Sequence, residues 1–302
     1  MEKIMKKIGL CLFILAVGTS QAQEVLILAT AETRNHTVNQ RDTMIAEFQA
    51  SGANVTVNLT EFSNAATMDS AVITGYDMVI VHGHNVAIEL ADLAVIEQGI
   101  IDQLSTAFVF LIDGCSVACG PNVNAVLPII NNVKTVGGAL TYEAGRNRFT
   151  ANLNTVSEFA GDFTAMPTMD SFNYRPIAGA TINNILYSEA IIDTSTTDAN
   201  ALGVFYPINE SRGSCVYYMA DMTMFWQAAS QYYDMDVKDN FAPAFINAAT
   251  NRQSGACFVG LNITPSPVPS INWVSLFALM GVMGLLAIRL LSGRLLSGRC
   301  FS

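Results

Sequence analysis

Two stretches of the chain combine residue types that can do chemistry. Met78-Val79-Ile80-Val81 runs into His82-Gly83-His84, and Val109-Phe110-Leu111-Ile112 runs into Asp113-Gly114-Cys115. In each, four apolar residues end at a glycine flanked by groups that carry protons. A thiol must ionise to act as a nucleophile, and a nearby imidazole can accept its proton. His82, His84 and Cys115 are therefore the candidate residues for such a pair. His84, Asp113 and Gly114 form a candidate binding set beside them. The bland reading of Cys115 is a small disulfide loop with Cys119, and of the histidines a pair of polar residues at a strand end. His-Gly-His with one aspartate lacks a third ligand, so no metal is expected, and no cofactor motif is present. Asp221 fits a residue capping the turn that follows it.

The elements that must position these groups are legible from the apolar pattern. Ala107–Ile112 is a continuous apolar run, as for a strand covered on both faces. Val25–Ala29, Asn54–Leu59 and Met78–Val81 read as strands before it, and Thr135–Tyr142 as one after it. Helical spacing marks Arg41–Ser51, Ala66–Ile73, Ala87–Leu104 and Val123–Val133. Leu202–Pro207 and Cys215–Ala220 read as a late pair of strands, and Phe241–Thr250 as a closing helix. Residues 146–200 show no clean period and suggest an insertion or lobe over the strand ends. Strands alternating with helices predict an α/β fold with a doubly wound, mostly parallel sheet. In such sheets ligands collect beyond the carboxyl ends of the strands, where both motifs fall.

Residues 24–264 hold 24 acidic side chains against nine Lys and Arg, a net charge near −15. Such a surface repels nucleic acid, so no nucleic-acid partner is expected. Four cysteines lie in the body: Cys115, Cys119, Cys215 and Cys257. They permit three connectivities. Cys215–Cys257 would staple the last core strand to the end of the body, leaving Cys115–Cys119 as a small loop.

The two ends specify a destination. Residues 1–22 read as a signal peptide: Lys3, Lys6 and Lys7, an apolar core from Ile8 to Val17, and a small-x-small site at Ser20-Gln21-Ala22. The exported domain then spans 23–263. Residues 264–270 form a Pro-spaced stalk, 271–291 a single transmembrane helix, and 292–302 a basic tail. Arg289, Arg294 and Arg299 have no acidic residue among them, which keeps this end in the cytoplasm and the body outside. The inner membrane is thus an expected partner, and release or surface display would follow processing of the tail.

Val268, Pro269, Ser270, Ile271 and Trp273, ahead of one span and a basic end, resemble the IPTL-CTERM tail, a relative of the PEP-CTERM tails. The departures are Ser for Thr, Ile for Leu and one residue fewer before the Trp. This resemblance implies recognition by an exosortase-like sorting membrane peptidase. In the body, the order of elements and the strand running into Ala220-Asp221-x-x-Met224-Phe225 resemble class I glutamine amidotransferase-like folds, including the ThuA-like proteins, within the flavodoxin-like architectures. The amidotransferase triad is missing: Val117 stands where the elbow needs Gly, and no His follows His84. MVIV-His82-Gly83 and VFLI-Asp113-Gly114-Cys115 also resemble the caspase-like (clan CD) cysteine peptidases. That resemblance implies a His82/Cys115 dyad, with His82 as base, Cys115 as nucleophile and His84 as the alternative base; the departures are Asp113 for the usual Gln or Glu and Gly114 for Ala. The sequence thus yields two function classes: an exported, anchored α/β surface domain that binds a ligand or is structural, and a cysteine hydrolase.

Overall fold

The computed structural model describes residues 23–64, 66–113, 120–145, 148–172, 175–225, 235–250 and Cys257. The signal peptide expected at 1–22, Gly114, Cys115, Cys119, and the sorting motif and span expected at 268–273 and 271–291 lie outside these residues. Contacts divide the chain into units at 1–260 and 261–302. Among the described residues no helix is long and apolar enough to cross a membrane.

Four parallel strands build the first half of the sheet. Strands β1 (Glu24–Ala29), β2 (Asn54–Asn58), β3 (Met78–Gly83) and β4 (Ala107–Ile112) stand in the order β2-β1-β3-β4. β3 and β4 are buried along their whole length, which is why both read as unbroken apolar runs. The crossover from β1 to β2 runs one way along the sheet and that from β3 to β4 the other. Right-handed crossovers then place α1 (Asn35–Ala50) and α2 (Leu90–Ile101) on opposite faces. α1 packs with α4 (Met235–Thr250), and α2 with α3 (Gly120–Val133). β11 (Cys215–Met219) lies parallel to β4, and Cys215 at its start is disulfide-bonded to Cys257.

The second half departs from the expected mostly parallel sheet. Beyond β11 the order continues through β10 (Ala201–Tyr206), β9 (Ile185–Ser188), β6 (Arg148–Leu153) and β7 (Thr168–Phe172), all antiparallel. The expected lobe over residues 146–200 is therefore largely a continuation of the sheet. Its strands are short and joined by turns, and one face of an antiparallel strand can carry polar residues, so no apolar run announces them. The fifth strand, expected over 135–142, shrinks to β5 (Thr141–Tyr142), paired with β8 (Ile177–Ala178). The cause is local. The Lys134 ammonium gathers the carbonyls of Val136, Gly137 and Gly138, and Gly137 has φ +73°, which turns the chain before it can extend. The antiparallel half also curls back: Ser171 on β7, four places from β11 in the sheet, donates to the carboxylate of Asp221 just after β11.

α1 begins six residues earlier than the Arg41 start its apolar spacing suggests. Its buried side includes Thr37, Gln40 and Thr43 beside Met44 and Phe48. Polar side chains on the inward face conceal the first two turns from a search for apolar periodicity. This shift brings His36 to the edge of the sheet.

Candidate functional site

β1 and β3 are adjacent, yet their crossovers leave in opposite directions, so the topological switch point lies between them. In doubly wound sheets ligands bind beyond the carboxyl ends at such a point. Glu32 follows β1, His84 follows β3, and Asp113 follows β4. His82 sits in the last turn of the β3 pleat, paired in register with Ala29 and Leu111. All three histidines of the chain, His36, His82 and His84, meet around this point.

The centre is a buried pair. His84 Nε2 lies 2.6 Å from Asp113 Oδ2, and the two side chains are 5% and 4% exposed. The turn carrying His84 is held from both sides. Glu32, itself buried, accepts from the Thr30 hydroxyl (2.5 Å) and from the backbone N–H of His84 (3.0 Å) and Asn85 (3.3 Å). Asn122, at the start of α3, donates to the carbonyls of His84 and Val86 and accepts from the N–H of Ile88. Gly83 makes this possible: a Cβ there would stand 2.9 Å from Asn122 Nδ2 and 2.7 Å from Ile88 Cδ1. The His36 ring meets that of His84 edge-on, with centroids 5.7 Å apart. Asp221, after β11, accepts from the N–H of Met222 and Thr223 and from the Thr223 hydroxyl, the capping expected of it. Tyr218 and Tyr142 share a hydroxyl–hydroxyl hydrogen bond of 2.7 Å, and the Asp113 charge is felt at Tyr218.

Electrostatics separate the histidines. Burial opposes charge on His84, but the Asp113 charge and hydrogen bond, with Glu32 and Asp221, outweigh it and raise its pKa. His36 is lowered by burial, then by the charges of His84 and Arg34, against Asp113 and Glu32. His82 is completely buried, and neither ring nitrogen has a hydrogen-bond partner among the described residues. Burial, with His84 and Arg41, drives it down to about 3. An imidazole so held is a poor proton acceptor at neutral pH, so geometry favours His84 as the proton-carrying group. Among the described residues no group of three or more His, Cys, Asp or Glu side chains could hold a metal ion. A cavity of about 350 Å³ opens beyond β2, lined by Thr60, Glu61, Asn64, Thr67 and Asp69 among others; none of these is an imidazole or part of the His84 cluster.

The structure thus brings together His84 and Asp113 from the residues singled out in the sequence, and puts His82 on the strand beside them. Glu32, His36 and Asn122 were not singled out. Glu32 could have been found from its place two to three residues past a buried strand. His36 was concealed with the start of α1.

No family model matches the chain, and no curated protein matches it. Its likenesses among solved structures are distant. A ThuA-like protein from Bacteroides uniformis is 11% identical with a TM-score of 0.47, over 80% of this chain and 98% of its own. The mmIFT52 N-terminal domain is 12% identical with a TM-score of 0.48, over 75% and 97%. A ThuA-like protein from Parabacteroides merdae is 8% identical with a TM-score of 0.42, over 76% and 91%. These likenesses bear on fold alone. The class defined here by topology and site is an α/β domain with a mixed sheet and a buried histidine–aspartate pair at its switch point.

Proposed function

We propose that this chain is an exported, membrane-anchored α/β domain that binds a small polar ligand at the carboxyl edge of its sheet, with His84 and Asp113 as the recognising pair. The observation that carries the reading is the 2.6 Å His84–Asp113 contact at the switch point, buried and braced by Glu32 and Asn122. Buried titratable groups whose pKa values are shifted by specific charge partners, gathered at a switch point, are candidates for a functional site. The N-terminal signal and the tail support export with the body outside and processing by a sorting peptidase.

A second reading, a cysteine hydrolase using His82 and Cys115, is favoured by one observation: β3 and β4 are hydrogen-bonded parallel neighbours. Groups just past their ends then fall close together, since strands lie about 4.8 Å apart. The two readings differ in what a thiol probe meets. On the ligand-binding reading, unreduced protein treated with iodoacetamide and mapped by peptide is expected to leave Cys115 unlabelled. Saturation-transfer NMR with a panel of nucleosides, amino acids and polyols is expected to give contacts that His84→Ala abolishes. Rapid alkylation of Cys115, with ligand contacts untouched by His84→Ala, would favour the hydrolase instead.

A further inference from the structure

The sheet has two outer strands, β2 and β7. β7 curls back, and its Ser171 reaches Asp221 beyond β11. β2 stands open. Which of its backbone groups face outward follows from its ladder with β1. Asn54, opposite Glu24, donates its N–H to the Gln23 carbonyl. In a parallel ladder alternate residues bond to the partner strand, so Thr56 and Asn58 also face β1. The N–H and C=O of Val55 and Val57 therefore face outward, and among the described residues nothing bonds to them. Proteins guard open edges with charge, proline or a bulge. β2, Asn54-Val55-Thr56-Val57-Asn58, has no charge and no proline, and its register with β1 runs without a break.

We infer that this edge pairs antiparallel with the same edge of a second copy, about a twofold axis at Thr56. The sequence of β2 reads the same in both directions. In an isologous contact residue i meets j and j meets i. Pairing about Thr56 thus puts Asn54 opposite Asn58, Val55 opposite Val57 and Thr56 opposite its own copy, and it uses all 5 residues of the strand. The backbone agrees. Val55 and Val57, whose groups face outward, become hydrogen-bonded pairs that exchange both bonds, and Thr56 becomes the non-hydrogen-bonded pair on the axis. A slip of one residue would set outward-facing groups against inward-facing ones and lose these bonds. The side chains match as well. Val55 and Val57 are half-buried against the core and meet each other on one face, while Asn54 and Thr56, both exposed, meet an amide and a hydroxyl on the other. Charge selects the same edge. The body is strongly acidic, so two copies repel over most of their surface. β2 adds no charge, and its Asn54 and Asn58 amides hold the carboxylates of Glu24 and Glu61 beside it. One sheet then runs through both copies, with the two His84 edges pointing in opposite directions.

The test is the oligomeric state of the full chain in detergent micelles, by sedimentation velocity over a dilution series. The natural chain is expected to be a dimer that dissociates on dilution. Thr56→Lys is expected to raise the dissociation constant about tenfold, because a favourable threonine pair is exchanged for like charges face to face. Thr56 is exposed, so the variant keeps its fold, which circular dichroism checks. Thr56→Cys gives an independent reading. The Cα atoms of a non-hydrogen-bonded pair lie about 4.5 Å apart, within disulfide reach. Mild oxidation is expected to join two copies through that position, as peptide mapping would show. A natural chain that is monomeric at every concentration would overturn the pairing. So would a dimer that Thr56→Lys leaves intact or that Thr56→Cys fails to trap.

Discussion

Replacing His82 with leucine is expected to protect the protein against mild acid. The imidazole is fully buried, makes no hydrogen bond among the described residues, and is held neutral down to about pH 3. The unfolded chain binds a proton at this site near pH 6.5, so its folded pKa is the lower of the two. The stability it confers is complete above 6.5 and is lost as pH falls toward 3. One proton taken up only by the unfolded state costs about 1.4 kcal/mol per pH unit, or roughly 2–3 kcal/mol by pH 4.5. Leucine has a similar volume, titrates nowhere and gives up no side-chain hydrogen bond among the described residues. Urea unfolding at pH 7 and pH 4.5 should therefore show a smaller drop for His82→Leu than for the natural chain. An equal drop in both would contradict the assigned environment of His82.

Asp113→Ala is expected to destabilise the protein by about 3 kcal/mol near neutral pH, the usual cost of removing one partner of a buried ion pair. The loss has the opposite pH dependence. His84 is raised in the folded state, so its contribution is complete below 6.5 and is lost as pH rises through its folded pKa. The cost of Asp113→Ala should accordingly be largest on the acid side and shrink in alkali. Unfolding measured at pH 6 and pH 9 checks this; a cost that grows with pH would show that Asp113 stabilises something other than a charged His84.

Why some of this was legible in the sequence and some was not follows from burial. β3 and β4 are covered on both faces, so both announce themselves as apolar runs; β4 could be placed to the residue, while β3 continues two residues past the expected end at Val81, through His82 and Gly83. The same continuity put His84 and Asp113 at neighbouring strand ends. α1 was half concealed because Thr37, Gln40 and Thr43 face inward, and with it went His36. β6 to β9 are short antiparallel strands whose pairing is set by long-range register, as in Thr150 opposite Asp170, and no local pattern encodes that. Lys134 turned an apparent strand into a loop by gathering the carbonyls of three residues just after it, a side-chain contact that apolar patterning does not register. Glu32 lay in plain view past β1, but its role depends on amides more than fifty residues away.

The central claim is that His84 and Asp113 form a charged pair at the carboxyl ends of β3 and β4. Because the chain has three histidines, one ¹⁵N NMR titration of the histidine rings reads it directly. The account predicts that His84 titrates above 6.5, His36 below it, and His82 only near pH 3 or not before unfolding, and that Asp113→Asn brings His84 down while leaving His82 where it is. A His84 that titrates below His36, or one that Asp113→Asn does not move, would contradict it.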